Sequence, residues 1–436
     1  MLADRPTSRL LAASAADVDR ARRPAAARLS DGLVPLGVLV VGVLVCGSRS
    51  FAALVHPELW AEDGRDWFAG AYNRGWFAPL LDPHTGYLQT FPRLVADLGL
   101  VVPLVRLPLL FVLLALAVQV LPAALVASRR FAHLVPRRSV RLLLAAAYLG
   151  VPNSREVNLN LTNAQWHLGL LALLVVLATP AGGAWRVLDV AVVVLSGLTG
   201  PFCLALLPVA GVVLLARREA WSLVLASCVA ACSAVQVYEL AGSPRGHYGP
   251  LGATLPRLVE ILGGEVVGGT FLGQSTVTSV LAGGHALVVC SVLAGAGALL
   301  ALAAVALGPL ELRLLNVFAG LVLAASLLTP VVSITRPQWL ALVHDGQMRY
   351  WLYPTLALLA DTVWLVARRR PRAMLAAGVV LAGAVAVLGV PQDWHYRPLG
   401  RVDWQAQVSS FARVPAGTRF TFQIDPHPWT MVLVKR

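Results

Sequence analysis

Long apolar stretches follow one another from residue 33 to residue 391, and that succession limits what the chain can fold into more than any motif does. A helix that spans a bilayer needs about 20 mostly apolar residues. Applied along the chain, that length marks runs near 33–55, 104–127, 139–152, 163–180, 186–199, 201–216, 220–240, 277–307, 312–332, 349–367 and 373–391. The run at 139–152 is short, and 277–307 is long enough for one tilted helix or two short ones, so a count of about 11 carries a margin of one or two. Inside lipid every backbone polar group needs an internal partner, which a helix supplies by itself. The runs also lack the ten-residue apolar/polar alternation of an outer-membrane barrel. The fold class is therefore an all-α polytopic membrane protein, and 58% apolar with 13% charged residues agrees with it.

The formal charge of +13 does not point to nucleic acid, because the arginines form short clusters between apolar runs rather than one basic face. Read by the excess of Lys and Arg in cytoplasmic loops, they orient the chain. With the N-terminus inside, Arg20, Arg22, Arg23 and Arg28, the 129–141 cluster, Arg217-Arg218 and the 368–372 cluster all fall on the cytoplasmic side. An odd number of crossings then leaves the C-terminus extracytoplasmic, in a multi-pass protein of the plasma membrane. The expected organisation is a disordered cytoplasmic tail (1–31), a transmembrane domain (32–391) with a first outer loop at 56–103, and an extracytoplasmic tail (392–436). In that tail TRFTFQID and WTMVLV flank the turn signal DPHP, which predicts a β-hairpin, either a structural cap or a lid. The five cysteines lie in apolar runs without ligand-like spacing and read as packing residues.

Three polar constellations fall on the outer side under this topology. The first, HPELWAEDGRDWFAGAYNRGW, sets Glu62, Asp63 and Asp66 beside the membrane, with Glu62 and Asp66 one turn apart if the segment is helical. Carboxylates near lipid are costly and mark function, although an amphipathic interfacial helix would also carry them. Downstream in the same loop come Asp82, His84, Tyr87, Arg93 and Asp97. The second, 151–169, holds Asn153, Arg155, Glu156, Asn158, Asn160, Asn163, Gln165 and His167. It follows a run too short to span, so it is expected to dip below the surface and line a cavity. Amides there suit sugar hydroxyls, since each offers donors and acceptors together. The third opens the run at 349–367 with Arg349 and Tyr350. Arg349 either snorkels to headgroups or grips a lipid phosphate with its fixed fork, and Arg49 has the same two readings. Asp189 and Asp361 read as helix-end or interhelical pairing groups.

The cytoplasmic N-terminus, about eleven helices, the Glu62-Asp63 pair in the first large outer loop, and the late Arg349-Tyr350-x-x-x-Pro354 run together resemble the GT-C superfamily of integral-membrane glycosyltransferases. The acidic pair is Glu-Asp rather than the Asp-Glu of several subfamilies, and no large soluble C-terminal domain follows. The resemblance implies transfer of a sugar from a polyprenyl-phosphate donor to a glycan or lipid acceptor, with a first-loop carboxylate as base and a basic residue near the donor phosphate. Asp63 is the first expectation for the base, with Glu62 and Asp66 in orienting or metal-holding roles. No cofactor is called for, and the acids alone leave a hard divalent cation open. A flippase or secondary transporter for a lipid-linked saccharide, and a polysaccharide polymerase or ligase, are the competing readings. The chain has no phosphate-binding glycine loop and no serine nucleophile elbow, so nucleotide-driven transport and serine hydrolysis lack support.

The arginine distribution yields a direct test. Reporter fusions after Arg130 and Arg218 should report the cytoplasm and a fusion after Arg436 the outside. A reporter after Arg130 that reads outside would move all three constellations to the wrong side.

Overall fold

In the computed structural model, residues 25–180, 182–243, 248–344, 346–368, 370–396, 400 and 402–436 are described. About 71% of the chain is helical. All eleven apolar runs are helices. They are α1 (Ala25–Arg49), α4 (Leu107–Ala127), α5 (Arg138–Leu149), α6 (Ala164–Leu177), α7 (Ala184–Gly197), α8 (Phe202–Arg217), α9 (Ala220–Gly242), α11 (Ala286–Leu307), α12 (Leu310–Leu328), α13 (Leu352–Ala367) and α14 (Arg372–Ala384). Between them lie α2 (61–74) and α3 (Thr90–Gly99) in the first loop, and α10 (255–271) before α11. After α14 come α15 (Trp404–Arg413) and a hairpin of β1 (Arg419–Gln423) and β2 (Thr430–Val434).

Among the described residues, seven helical segments are long and apolar enough to cross a membrane, which makes this a multi-pass membrane protein. The four others, α5 to α8, are 12 to 16 residues long. The run at 277–307 is two helices, Gln274–Leu281 and α11, divided by Gly283-Gly284, where the chain has no side chains to pack. The segment read as a tail to residue 31 is already helical from Ala25, and the rest of that tail, 1–24, lies outside the described residues.

The helices turn at two opposite ends. At one, the arginines tie loops together: Arg130 forks onto Asp189 at 2.7 Å through both Nη atoms, and Arg217 caps the open carbonyls at the end of α6, donating to Ala178 O at 2.9 Å. Asp189 is thus a pairing group as its position suggested, and Asp361 likewise takes a 2.9 Å bond from Asn316 of α12. This end is the arginine face below. At the other, the first-loop face, segments 56–103, 153–163, 249–276, 331–351 and 390–436 meet.

Helix α13 lies at the centre, with 78% of its span buried, whereas the span containing α14 is 11% buried and therefore peripheral. Its neighbour α6 is nearly all buried as well. Tyr353 of α13 is fully enclosed, its hydroxyl donating to Trp166 O of α6 at 2.7 Å and its ring edge-on to Phe202 and Phe318. On the first-loop face a second apolar core joins Trp67 and Phe68 of α2 to Trp404, Phe411, Phe422 and Leu433 of the C-terminal segment. The hairpin expected around DPHP is present, antiparallel from Arg419↔Val434 to Gln423↔Thr430. All five cysteines are free, and four are buried.

Gly263 of α10 lies directly against the Cys290 carbonyl of α11, where an added Cβ would collide with backbone. Gly263→Ala should therefore force the two helices apart and cost about 1–3 kcal/mol. Thermal melting of the purified protein in detergent checks it, with Gly320→Ala, which meets open space, as the unaffected comparison.

Candidate functional site

The three first-loop carboxylates take different roles. Helix α2 is wound with a wider π turn over Asp63–Phe68, a feature that recurs at functional sites because it redirects side chains. Ala61 just before it holds a left-handed φ of 33°, secured by hydrogen bonds between 59–61 and the backbone of Asp425. Asp63, 2% exposed, points into the protein. Its carboxylate accepts from Leu161 N at 3.0 Å and from Thr162 N and Oγ1 at 2.7 Å each. Trp67 Nε1 donates to the same Thr162 hydroxyl at 2.9 Å. Burial pushes the Asp63 carboxyl up to about 7, against those three donors.

Asp63 therefore pins the first loop to the 151–169 stretch, and its oxygens are spoken for. That runs against its expected part as base. Asp66 is held by its neighbour Arg65 at 2.8 Å, whose guanidinium lies 3.9 Å over the Trp429 ring. Glu62, partly exposed, has no hydrogen bond or ion pair to another residue among the described ones. Burial raises its pKa, and the charge of Arg349 draws it back down.

Around Glu62 the structure gathers several of the expected residues. The Tyr87 hydroxyl lies near Thr85 and Gln165, and close enough to Arg349 and Tyr350 to feel both. His84 meets the Trp67 ring edge-on at 4.9 Å, and burial lowers its pKa against the charge of Asp66. Arg349 pairs with Glu156, whose carboxylate also accepts the Arg349 backbone N–H at 3.0 Å. Its Nη2 donates to Val331 O at 2.9 Å, and the guanidinium lies 4.7 Å over Tyr350. Arg349 is thus oriented inward by a carboxylate rather than directed to the headgroups.

Other expected residues are consumed by the fold. Asn158 accepts from Gln119 and donates to Ser154 O and the Tyr396 hydroxyl. Asn160 and Asn163 both donate to Glu156 O, and Asn160 Oδ1 accepts from Asn163 N. His167 sits between the Tyr148 hydroxyl and Val157 O, at 2.8 and 2.9 Å. These amides and the imidazole satisfy the irregular backbone that the short α5 leaves behind. Arg93, 6% exposed, donates to Asp82 O at 2.9 Å and lies 5.0 Å over Trp67, a packing role. Arg155, partly exposed, opens the short turn Arg155–Val157. Arg49 neither snorkels nor waits for a phosphate: it is 2% exposed and donates to Leu149 O, Val151 O and Asp393 O.

Glu156, Thr162 and Tyr396 are the groups that sequence reasoning passed over as partners. The first two lie in the polar stretch already singled out, but a partner in space carries no spacing signal. A cavity of about 410 Å³ opens at the arginine face among Phe131, Leu134, Leu174, Leu312 and Trp364, and it contains none of the residues gathered around Glu62. No protein-family model matches the chain, and no curated protein is significantly similar to it.

The division between pin and free carboxylate is testable by stability. Asp63→Asn sets an NH2 group against backbone N–H donors and should cost about 1–3 kcal/mol, while Glu62→Gln should leave melting unchanged. Because the fold raises the Asp63 pKa from 3.8 to about 7, its protonated form is favoured in the folded state. The associated stability is complete below pH ~4 and is lost as pH climbs to ~7. Asp63→Asn should flatten that decline.

Proposed function

We propose that the chain is an integral-membrane glycosyltransferase of the GT-C kind. It moves a sugar from a polyprenyl-phosphate donor to a cell-envelope glycan or lipid hydroxyl at the first-loop face. In this reading all eleven apolar helices cross the plasma membrane, with the arginine face in the cytoplasm and the C-terminal segment outside. The segregation of turns to two ends supports that count.

One observation carries the reading: an uncommitted carboxylate, Glu62, sits close enough to an inward-turned arginine, Arg349, to feel its charge, and Tyr87 and Tyr350 lie near the same arginine. Glu62 is the base. It takes the proton as the acceptor oxygen bonds to the sugar's anomeric carbon, and the bond from that carbon to the phosphate oxygen breaks. Arg349 steadies the charge that develops on the departing lipid phosphate. Tyr87 and Gln165 orient hydroxyls, and Asp63 holds the base in place. A polymerase or ligase would use the same groups. The lipid-linked carrier is the second reading, favoured by the buried Asp361 of α13, whose Oδ2 has no hydrogen-bond partner.

Transfer from a lipid-linked donor in membranes tests the proposal. Glu62→Gln should lose about a hundredfold or more of the rate without loss of melting temperature. The wild-type rate should rise with pH through a value above the ordinary glutamate range, since the base must be ionised. Arg349→Lys should lose donor binding despite keeping its charge, because Lys lacks the planar fork. Wild-type transfer in both variants removes the assignment.

A further inference from the structure

Glu265 lies in the middle of α10, 2% exposed, and among the described residues no Arg, Lys or His pairs with it. Its Oε2 is buried with no hydrogen-bond partner. Two side-chain amides, Asn153 and Gln274, lie beside the carboxylate, Asn153 through its 3.0 Å bond to Glu265 O, and each keeps its own oxygen buried without a donor. Three segments distant in sequence thus bring three unsatisfied oxygens into one neighbourhood. Leaving such groups unpaired away from water is costly.

The arrangement is built rather than incidental. Asn153, 2% exposed, adopts a left-handed φ of 48°, a conformation Asn tolerates better than most residues. Its backbone N–H donates to Asp393 at 2.8 Å, and Gln274 N donates to the same carboxylate at 3.3 Å. The Asn153 amide lies against Gly269, where any Cβ would collide with it, and donates to Glu265 O at 3.0 Å. Glu265 itself lies on the widened π turn Glu260–Gly268.

A proton on Oε2 would satisfy that oxygen and one amide oxygen, leaving the third without a partner. A cation can draw in all three after a half-turn of the amides, which exchanges nitrogen for oxygen; for Asn153 that turn gives up the bond to Glu265 O, whose carbonyl then also faces the ion. We propose that Glu265, Asn153 and Gln274 form an all-oxygen site for a hard cation of the sodium, magnesium, calcium or manganese kind. Carboxylate and amide oxygens are the donors such ions take. The site is separate from the first-loop carboxylates and does not depend on the glycosyl-transfer reading.

The test uses the purified full chain in detergent, dialysed against EDTA into choline chloride. Melting is followed while NaCl, MgCl2, CaCl2 or MnCl2 is titrated at matched ionic strength. One of these ions should raise the melting temperature saturably, and Glu265→Gln should abolish the response. Asn153→Gly keeps the left-handed backbone while removing the amide oxygen, so it should raise the half-saturating concentration about tenfold or more. If Glu265→Gln does not fold, Asn153→Gly and Gln274→Leu decide the matter. A wild type indifferent to all four ions overturns the proposal, as does a Glu265→Gln protein that still responds like wild type. Stability that follows pH through Glu265 but ignores every ion would make the group a protonated carboxyl instead.

Discussion

The contact on which the first-loop face depends is the Asp63 carboxylate against the 161–162 backbone. Three donors converge on two oxygens in a place water does not reach. One residue thereby fixes α2 on the irregular stretch that follows α5. Trp67 reinforces it through the same threonine, and the C-terminal segment closes over the other side of α2. Asn73, for instance, bonds Val432 O and Val434 N across the hairpin edge at 2.9 Å each. A loop of some fifty residues between two apolar helices would otherwise have little to order it. Held this way, it presents Glu62 and Tyr87 to the same neighbourhood as Arg349.

The membrane architecture was legible because its cause is local. Each apolar run is a helix for reasons contained in the run: length, apolar content and the need to satisfy backbone groups without water. Even the exception follows local chemistry, since Gly283-Gly284 divides the long run near 277–307 where side-chain packing lapses. The hairpin could be anticipated for a similar reason, from β-branched and aromatic residues around a proline-rich turn.

The roles of the polar residues were not legible in the same way. Sequence could say that 151–169 is rich in amides and that amides at depth need partners. It could not say whether those partners are ligand or protein. The short α5 decides it: where a helix stops early, its carbonyls and the following N–H groups demand hydrogen bonds, and Asn158, Asn160, Asn163 and His167 meet that demand. Gln165 alone of that group is left near Tyr87. The choice between Asp63 and Glu62 was equally hidden, because adjacent acids share every property a sequence displays and differ in which way the π turn points them.

Arg349 shows how an ion pair can prepare a site rather than fill it. Glu156 holds the guanidinium inward and also accepts the backbone N–H at the entry to α13, so one carboxylate occupies a position rich in donors. An anion approaching from the first-loop face meets a cation whose orientation is already fixed and whose side-chain entropy has already been lost. Within the proposed reading, burial and repulsion from Asp66 raise the Glu62 pKa while the charges of Arg349 and Arg65 lower it, so the base is tuned by the same arginine that meets the donor.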